Sequence, residues 1–120
     1  MSAKTSIGGE LNAELLKNYF HTLVNQVYKI LPMREQESKT LDKYVWRLHA
    51  ELLGCAGMFP GIEDDSYFAS LLSILQYLRD HCMEDSVPQT RQLVFEGIRI
   101  CEKLSGRYAE GGGKEGDRDE

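Results

Sequence analysis

Apolar side chains recur every three or four residues in four separate stretches of this chain, a spacing that gathers them onto one side of a helix. In the first stretch Leu15, Leu16, Tyr19, Phe20, Leu23, Val24, Val27, Ile30 and Leu31 predict helix one over residues 12–31. At about 100° per residue they fill roughly half the circumference, so this helix is expected to touch at least two neighbours. Asn12 is the expected N-cap, with Glu14 facing the positive end of the helix dipole. Pro32 is expected to end the segment, because it has no N–H to give to the ladder.

Residues 33–39 are polar and predict a connection, after which Thr40 or Ser38 caps helix two, expected to reach about Leu53. Its main stripe is Leu41, Tyr44, Val45, Leu48, Leu52 and Cys55, and a second stripe of Trp46, His49 and Leu53 lies some 80° to 100° further round. Residues 54–62 combine Gly54, Gly57, Gly61 and Pro60 with large apolar groups and predict an apolar linker. Asp64 or Asp65 then caps helix three, over residue 66 to about 81, with Phe68, Leu71, Leu72, Ile74, Leu75, Leu78 and Cys82 inward and Ser70 and Ser73 opposite.

After a turn at residues 83–85, Ser86-Val87-Pro88-Gln89 has the form of a capping box with a proline in the tolerant first turn. Helix four is expected to run to about Leu104 or Ser105, burying Leu93, Val94, Ile98, Ile100, Cys101 and Leu104. Gly97 in the middle of that arc implies a close helix crossing, since glycine there costs about 1 kcal/mol relative to alanine. Gly106 is the expected C-cap, and Tyr108 is expected to close the core. Together these elements predict an all-α, antiparallel four-helix bundle over residues 12–108, with a flexible N-terminus at 1–11 and a disordered acidic tail at 109–120.

Composition supports a packed core, with 42% apolar and 28% charged residues in 120. The net charge of −5 repels phosphate backbones, so direct nucleic-acid binding is not expected. Cys55, Cys82 and Cys101 are odd in number and widely spaced, which reads as reduced thiols and a cytoplasmic protein. No stretch approaches the roughly 18 apolar residues of a membrane span, and the first nine residues lack a signal-peptide core, so no membrane association or secretion is expected.

Motifs that carry chemistry are incomplete. His49-Ala50-Glu51 matches half of the zinc deaminase signature, but the Pro-Cys-x-x-Cys half is missing. No Glu has a His three residues later, as di-iron bundles require, and no Gly-x-Ser-x-Gly elbow is present. Gly54-Cys55-Ala56-Gly57 has the Gly-x-x-Gly form of some RNA-binding loops without their basic flank. No catalytic residue, cofactor or metal is therefore expected.

What remains is surface. Trp46, His49, Leu53, Met58, Phe59 and Phe95 exceed what the inward stripes need, and aromatic and methionine side chains favour the centres of interfaces. The expected function is that of a non-enzymatic cytoplasmic adapter or regulator acting through protein–protein interaction. A homodimer through helix two and the Met58-Phe59 linker is one form of it. Two alternatives belong to other classes: an acidic inhibitor occupying a basic protein groove, and a metal-binding or enzymatic bundle using His49, His81 and the cysteines.

Overall fold

The computed structural model describes the backbone of residues 2–109 and the side chains of residues 13–108. Its helices are α1 (Ser2–Tyr28), α2 (Ile30–Glu35), α3 (Leu41–Met58), α4 (Ser66–His81) and α5 (Val87–Ala109), with a 3-10 turn at Ile62–Asp64. Of the acidic tail expected at 109–120, Ala109 is the last residue of α5, and the remainder lies outside the described residues. Among the described residues there is no strand.

Most of the apolar stripes landed where the spacing put them, while several helix ends did not. α1 begins at Ser2, so Asn12 lies inside the helix instead of capping it. Pro32 does not stop the chain's helical course. Proline crowds the carbonyl four residues earlier, here that of Tyr28, and the helix is interrupted beside it at Lys29. Pro32 then sits in the first turn of α2, where a helix has no use for its N–H. Hydrogen bonds from the Lys29 N–H to the Asn25 carbonyl and from the Met33 N–H to the Lys29 carbonyl, both 3.2 Å, carry the path across the break. α2 ends where Glu37 turns left-handed at φ 56°, which lets the Ser38 N–H reach the Met33 carbonyl at 2.9 Å and the Glu37 N–H reach that of Arg34 at 3.1 Å.

α3 runs through Gly54 and Gly57 to Met58, well past the end expected at Leu53. Glycine weakens a helix without breaking it when both flanks hold. The real breaker is Pro60-Gly61, where Gly61 adopts φ 94°. α4 starts as expected: the Asp65 carboxylate accepts the N–H groups of Tyr67 at 2.8 Å and Phe68 at 3.4 Å. The capping box of α5 also forms, with Ser86 Oγ accepting the Gln89 N–H and Gln89 Oε1 accepting the Ser86 N–H, each at 3.3 Å. α5 passes through Gly106 to Ala109, so Gly106 is no C-cap.

Neighbouring helices run antiparallel. α5 lies along α1, with Ser105 Oγ donating to the Lys17 carbonyl at 3.2 Å, and along α4 on its other side. α3 packs against α4, and its Tyr44 hydroxyl donates to the Gln26 carbonyl of α1 at 2.6 Å. The shared core holds Phe20, Leu23, Val27, Leu48, Leu52, Phe68, Leu71, Leu75, Val94 and Leu104, all without solvent exposure. Each such side chain contributes roughly 1.5–3 kcal/mol by leaving water. Phe20 meets Phe68 edge-on with centroids 6.4 Å apart and stacks on Tyr108 at 6.2 Å, so Tyr108 closes the core as expected. Leu15, placed on the inward stripe by its spacing, is exposed instead.

The α4 and α5 ends are clasped. Arg107 reaches Asp65 at 2.7 Å while its guanidinium and the Lys103 ammonium lie over the Tyr67 ring, 5.2 Å and 5.8 Å from its centroid. At the opposite end of the bundle Arg34 Nη2 donates to the Asp85 carbonyl at 2.9 Å, tying α2 to the α4–α5 turn.

Candidate interaction surface on α3

The 18 residues of α3 carry two apolar faces. One is spent on the core: Leu41, Val45, Leu48, Leu52 and Cys55 are buried against the other helices. The other points outward. Trp46 is 60% exposed and Leu53 47%, and their seven-residue separation stacks them on one line of the helix with Ala50 and Gly57 between and beyond. The spacing 46, 50, 53, 57 is that of a coiled-coil seam. Met58 is 72% exposed at the end of the helix, about 120° round from Trp46 by the helical repeat.

Gly54 and Gly57 are the anomaly of this face. Glycine inside a helix costs about 1 kcal/mol relative to alanine, and is normally repaid by a close approach of something to the backbone. A Cβ added at Gly54 or at Gly57 would meet no atom within 4 Å. At Gly97 of α5 the same Cβ would touch Ile74 and Val27 at 3.7 Å and Leu71 at 3.8 Å, so that glycine marks the crossing of α1, α4 and α5. Among the described residues nothing gives the α3 glycines such a role.

Charge lines both flanks of the seam. On one flank Arg47 bonds Glu51 at 3.0 Å, one helical turn on, and its guanidinium lies 5.2 Å from the Tyr44 ring centroid. On the other flank is His49, which sequence spacing had placed in the exposed set and which is only 6% exposed. α4 covers it, and Arg79 reaches its Nδ1 at 3.4 Å. Burial, then the neighbouring Arg79 charge, holds its pKa below the usual 6.5, so the ring is neutral and its Nδ1 accepts from the guanidinium. Phe59 is half-buried and packs on the core beyond the end of α3, so it too leaves the exposed set. Phe95 is exposed but stands on α5, which packs against α1 and α4, so it does not join the α3 face.

The structure also tests the chemical alternatives. Cys55, Cys82 and Cys101 are buried free thiols. Burial pushes Cys55 up to about 11 and Cys101 up to about 12, and raises Cys82, so all three stay protonated and unreactive near neutral pH. His81 lies tilted against Tyr77 with centroids 4.3 Å apart and places Nδ1 3.6 Å from Glu84, whereas His49 meets Arg79. Among the described residues no three His, Cys, Asp or Glu side chains are grouped to hold a metal ion. Glu14, Glu35, Glu51, Asp65, Asp80 and Glu96 are each paired with a Lys or Arg, so these carboxylates do not form an unneutralised acidic face.

A groove that sequence spacing did not show runs between α4 and α5. Two shallow hollows of about 460 and 420 Å³ share Leu93 and Glu96, with Ser70 and Ser73 on one wall. Its only signal in the sequence was the small size of the outward residues on α4.

Among the described residues no helix is long and apolar enough to cross a membrane. Comparison with known proteins yields no relative: no family model matches the chain, and no curated protein or solved structure is significantly similar to it.

Proposed function

We propose that this bundle is a non-enzymatic interaction module, an adapter or regulator, that docks a partner helix along the outer face of α3. The observation that carries the reading is Gly57, a helix-weakening residue with open space above it on the same line as exposed Trp46 and Leu53, with Gly54 equally open on the adjoining Arg47 flank. Large apolar groups beside bare backbone form a ridge and a hollow, which is what close helix–helix packing uses. The buried, protonated thiols suit a reducing compartment, so the proposed setting is the cytoplasm.

The test is a comparison of proteins captured from the native host by the wild type, by Trp46→Ala/Leu53→Ala, and by Phe95→Ala. A partner is expected on the wild type and on Phe95→Ala and missing from the double variant. Capture of the same proteins by all three overturns the reading.

A further inference from the structure

We propose that the groove between α4 and α5 binds a basic amphipathic helix of another protein, one that turns apolar residues inward and carries Lys or Arg along its flank. The site is independent of the α3 face and does not rest on the role proposed there.

Two lines of side chains form its walls. Gln89, Leu93, Glu96 and Ile100 follow at four-, three- and four-residue steps along α5, and Ser70, Ser73 and Tyr77 do so at three and four along α4. Between them Ile74 and Leu93 pack on the core yet stay half-buried, an apolar floor that the bundle leaves open. The α4 wall is low over Ala69, Ser70 and Ser73, so a third helix can bring its backbone close. From Gln89 to Ile100 the trough is about 17 Å long, which is three turns of a helix. Sites for small molecules bury roughly 70–90% of the ligand, and these shallow hollows cannot. A helix laid lengthwise with apolar anchors at three- and four-residue steps fits them better.

Charge sets the sign of the occupant. Among the described residues lining the two hollows, the charged ones are Asp85 and Glu96, with no Lys or Arg beside them. Asp85 makes no ion pair among the described residues, because Arg34 bonds its backbone carbonyl and leaves the carboxylate open. The exposed ring of Tyr77 lines the same hollow and suits an ammonium or guanidinium group. Glu96 is bonded by Arg99, but that pair is exposed and of the kind that contributes little, and Arg99 lies outside the groove lining. Lys103 and Arg107, further along α5, are drawn over Tyr67 at the clasp. The chain's own last segment does not match the groove: residues 110–120 hold no apolar side chain and five acids against two bases.

The test titrates the isotope-labelled full chain with a synthetic helix of about 14 residues, leucines at three- and four-residue steps and lysines elsewhere, read by amide NMR shifts. A twin peptide with glutamates for lysines is the comparison. The lysine helix is expected to shift the amides of Ser70, Ser73, Leu93 and Glu96, and the glutamate helix none of them. Asp85→Lys/Glu96→Lys is expected to weaken binding about tenfold or more, since attraction becomes repulsion. Glu63→Lys/Glu102→Lys makes the same change in net charge at exposed positions outside the groove, and is expected to leave binding within about twofold. Ser73→Phe fills the trough from an exposed position, so the helix signal is kept and the peptide is blocked.

Equal weakening by the two double variants overturns the proposal, because overall charge alone then holds the peptide. A lysine helix that moves no groove amide up to millimolar concentration overturns it too, as does Ser73→Phe binding like the wild type. Groove shifts that arise on concentrating the protein without peptide give the trough to a second copy instead. Shifts confined to Trp46 and Leu53 remove the groove site and leave the α3 reading standing.

Discussion

Gly97 of α5 and the two glycines of α3 all sit inside long helices, and their surroundings could hardly differ more. Gly97 lies where α1, α4 and α5 cross, with side chains of α1 and α4 converging on it. Gly57 looks into open space from the line that also exposes Trp46 and Leu53, and Gly54 does so from the adjoining Arg47 flank. The first glycine is accounted for by the fold and the other two are not. Positions that weaken a helix and that the fold does not use are where a demand from outside the chain can be read.

The comparison can be broken most decisively by large aromatic groups. Phe20→Ala, in the core between Phe68 and Tyr108, is expected to destabilise the bundle by about 3–5 kcal/mol. Trp46→Ala, on the open face, is expected to change stability by no more than about 0.5 kcal/mol. Chemical denaturation checks both, and a large loss for Trp46→Ala would mean that α3 needs its outer face to fold.

The glycines give the next contrast. A leucine at 97 exceeds the single methyl that the crossing admits and is expected to cost about 1–3 kcal/mol. Gly54→Ala and Gly57→Ala, by contrast, are each expected to stabilise the isolated chain by about 0.5–1 kcal/mol through helix propensity alone. Thermal melts of dilute protein read the sign, and a drop at Gly57→Ala would place an intrachain role there.

The smallest effect separates the two flanks of the face itself. His49 is held neutral beneath α4, with its folded pKa below the unfolded 6.5. Its contribution to stability is therefore intact above about pH 6.5 and declines as the pH falls through the unfolded and then the folded value. His49→Gln should flatten that part of the stability–pH curve, and an unchanged slope would show that the ring is not sheltered.

Much of the core was legible from spacing alone. Phe20, Leu23, Val27, Leu48, Leu75 and Leu104 are all buried, because the helical repeat fixes which side chains share a face whatever the neighbours are. Helix ends were harder. Gly54, Gly57, Gly106 and Pro32 were read as breaks, yet each is only a local preference of about 1 to 3 kcal/mol. Packing of the flanking stripes outweighs that in α3, and a first-turn position removes the penalty for Pro32.

The candidate surface was half legible for a similar reason. Trp46, Leu53 and Met58 stood out as surplus apolar groups and are exposed. The sequence cannot say which neighbour covers a flank, so the burial of His49 under Arg79 and the packing of Phe59 against the core emerged only in three dimensions. The α4–α5 groove was hidden altogether, because it depends on how the small residues of one helix align with Leu93 and Glu96 of another.

The pairing of α1 with α5 has a consequence for synthesis. The oily stripe of α1, Phe20 and Leu23 among it, is completed by a helix synthesised much later, as the bond from Ser105 back to Lys17 shows across 88 residues. A nascent chain still lacking α5 leaves part of that stripe open, so the bundle closes only once the residues around Ser105 have emerged, and until then α1 is a natural client for chaperones.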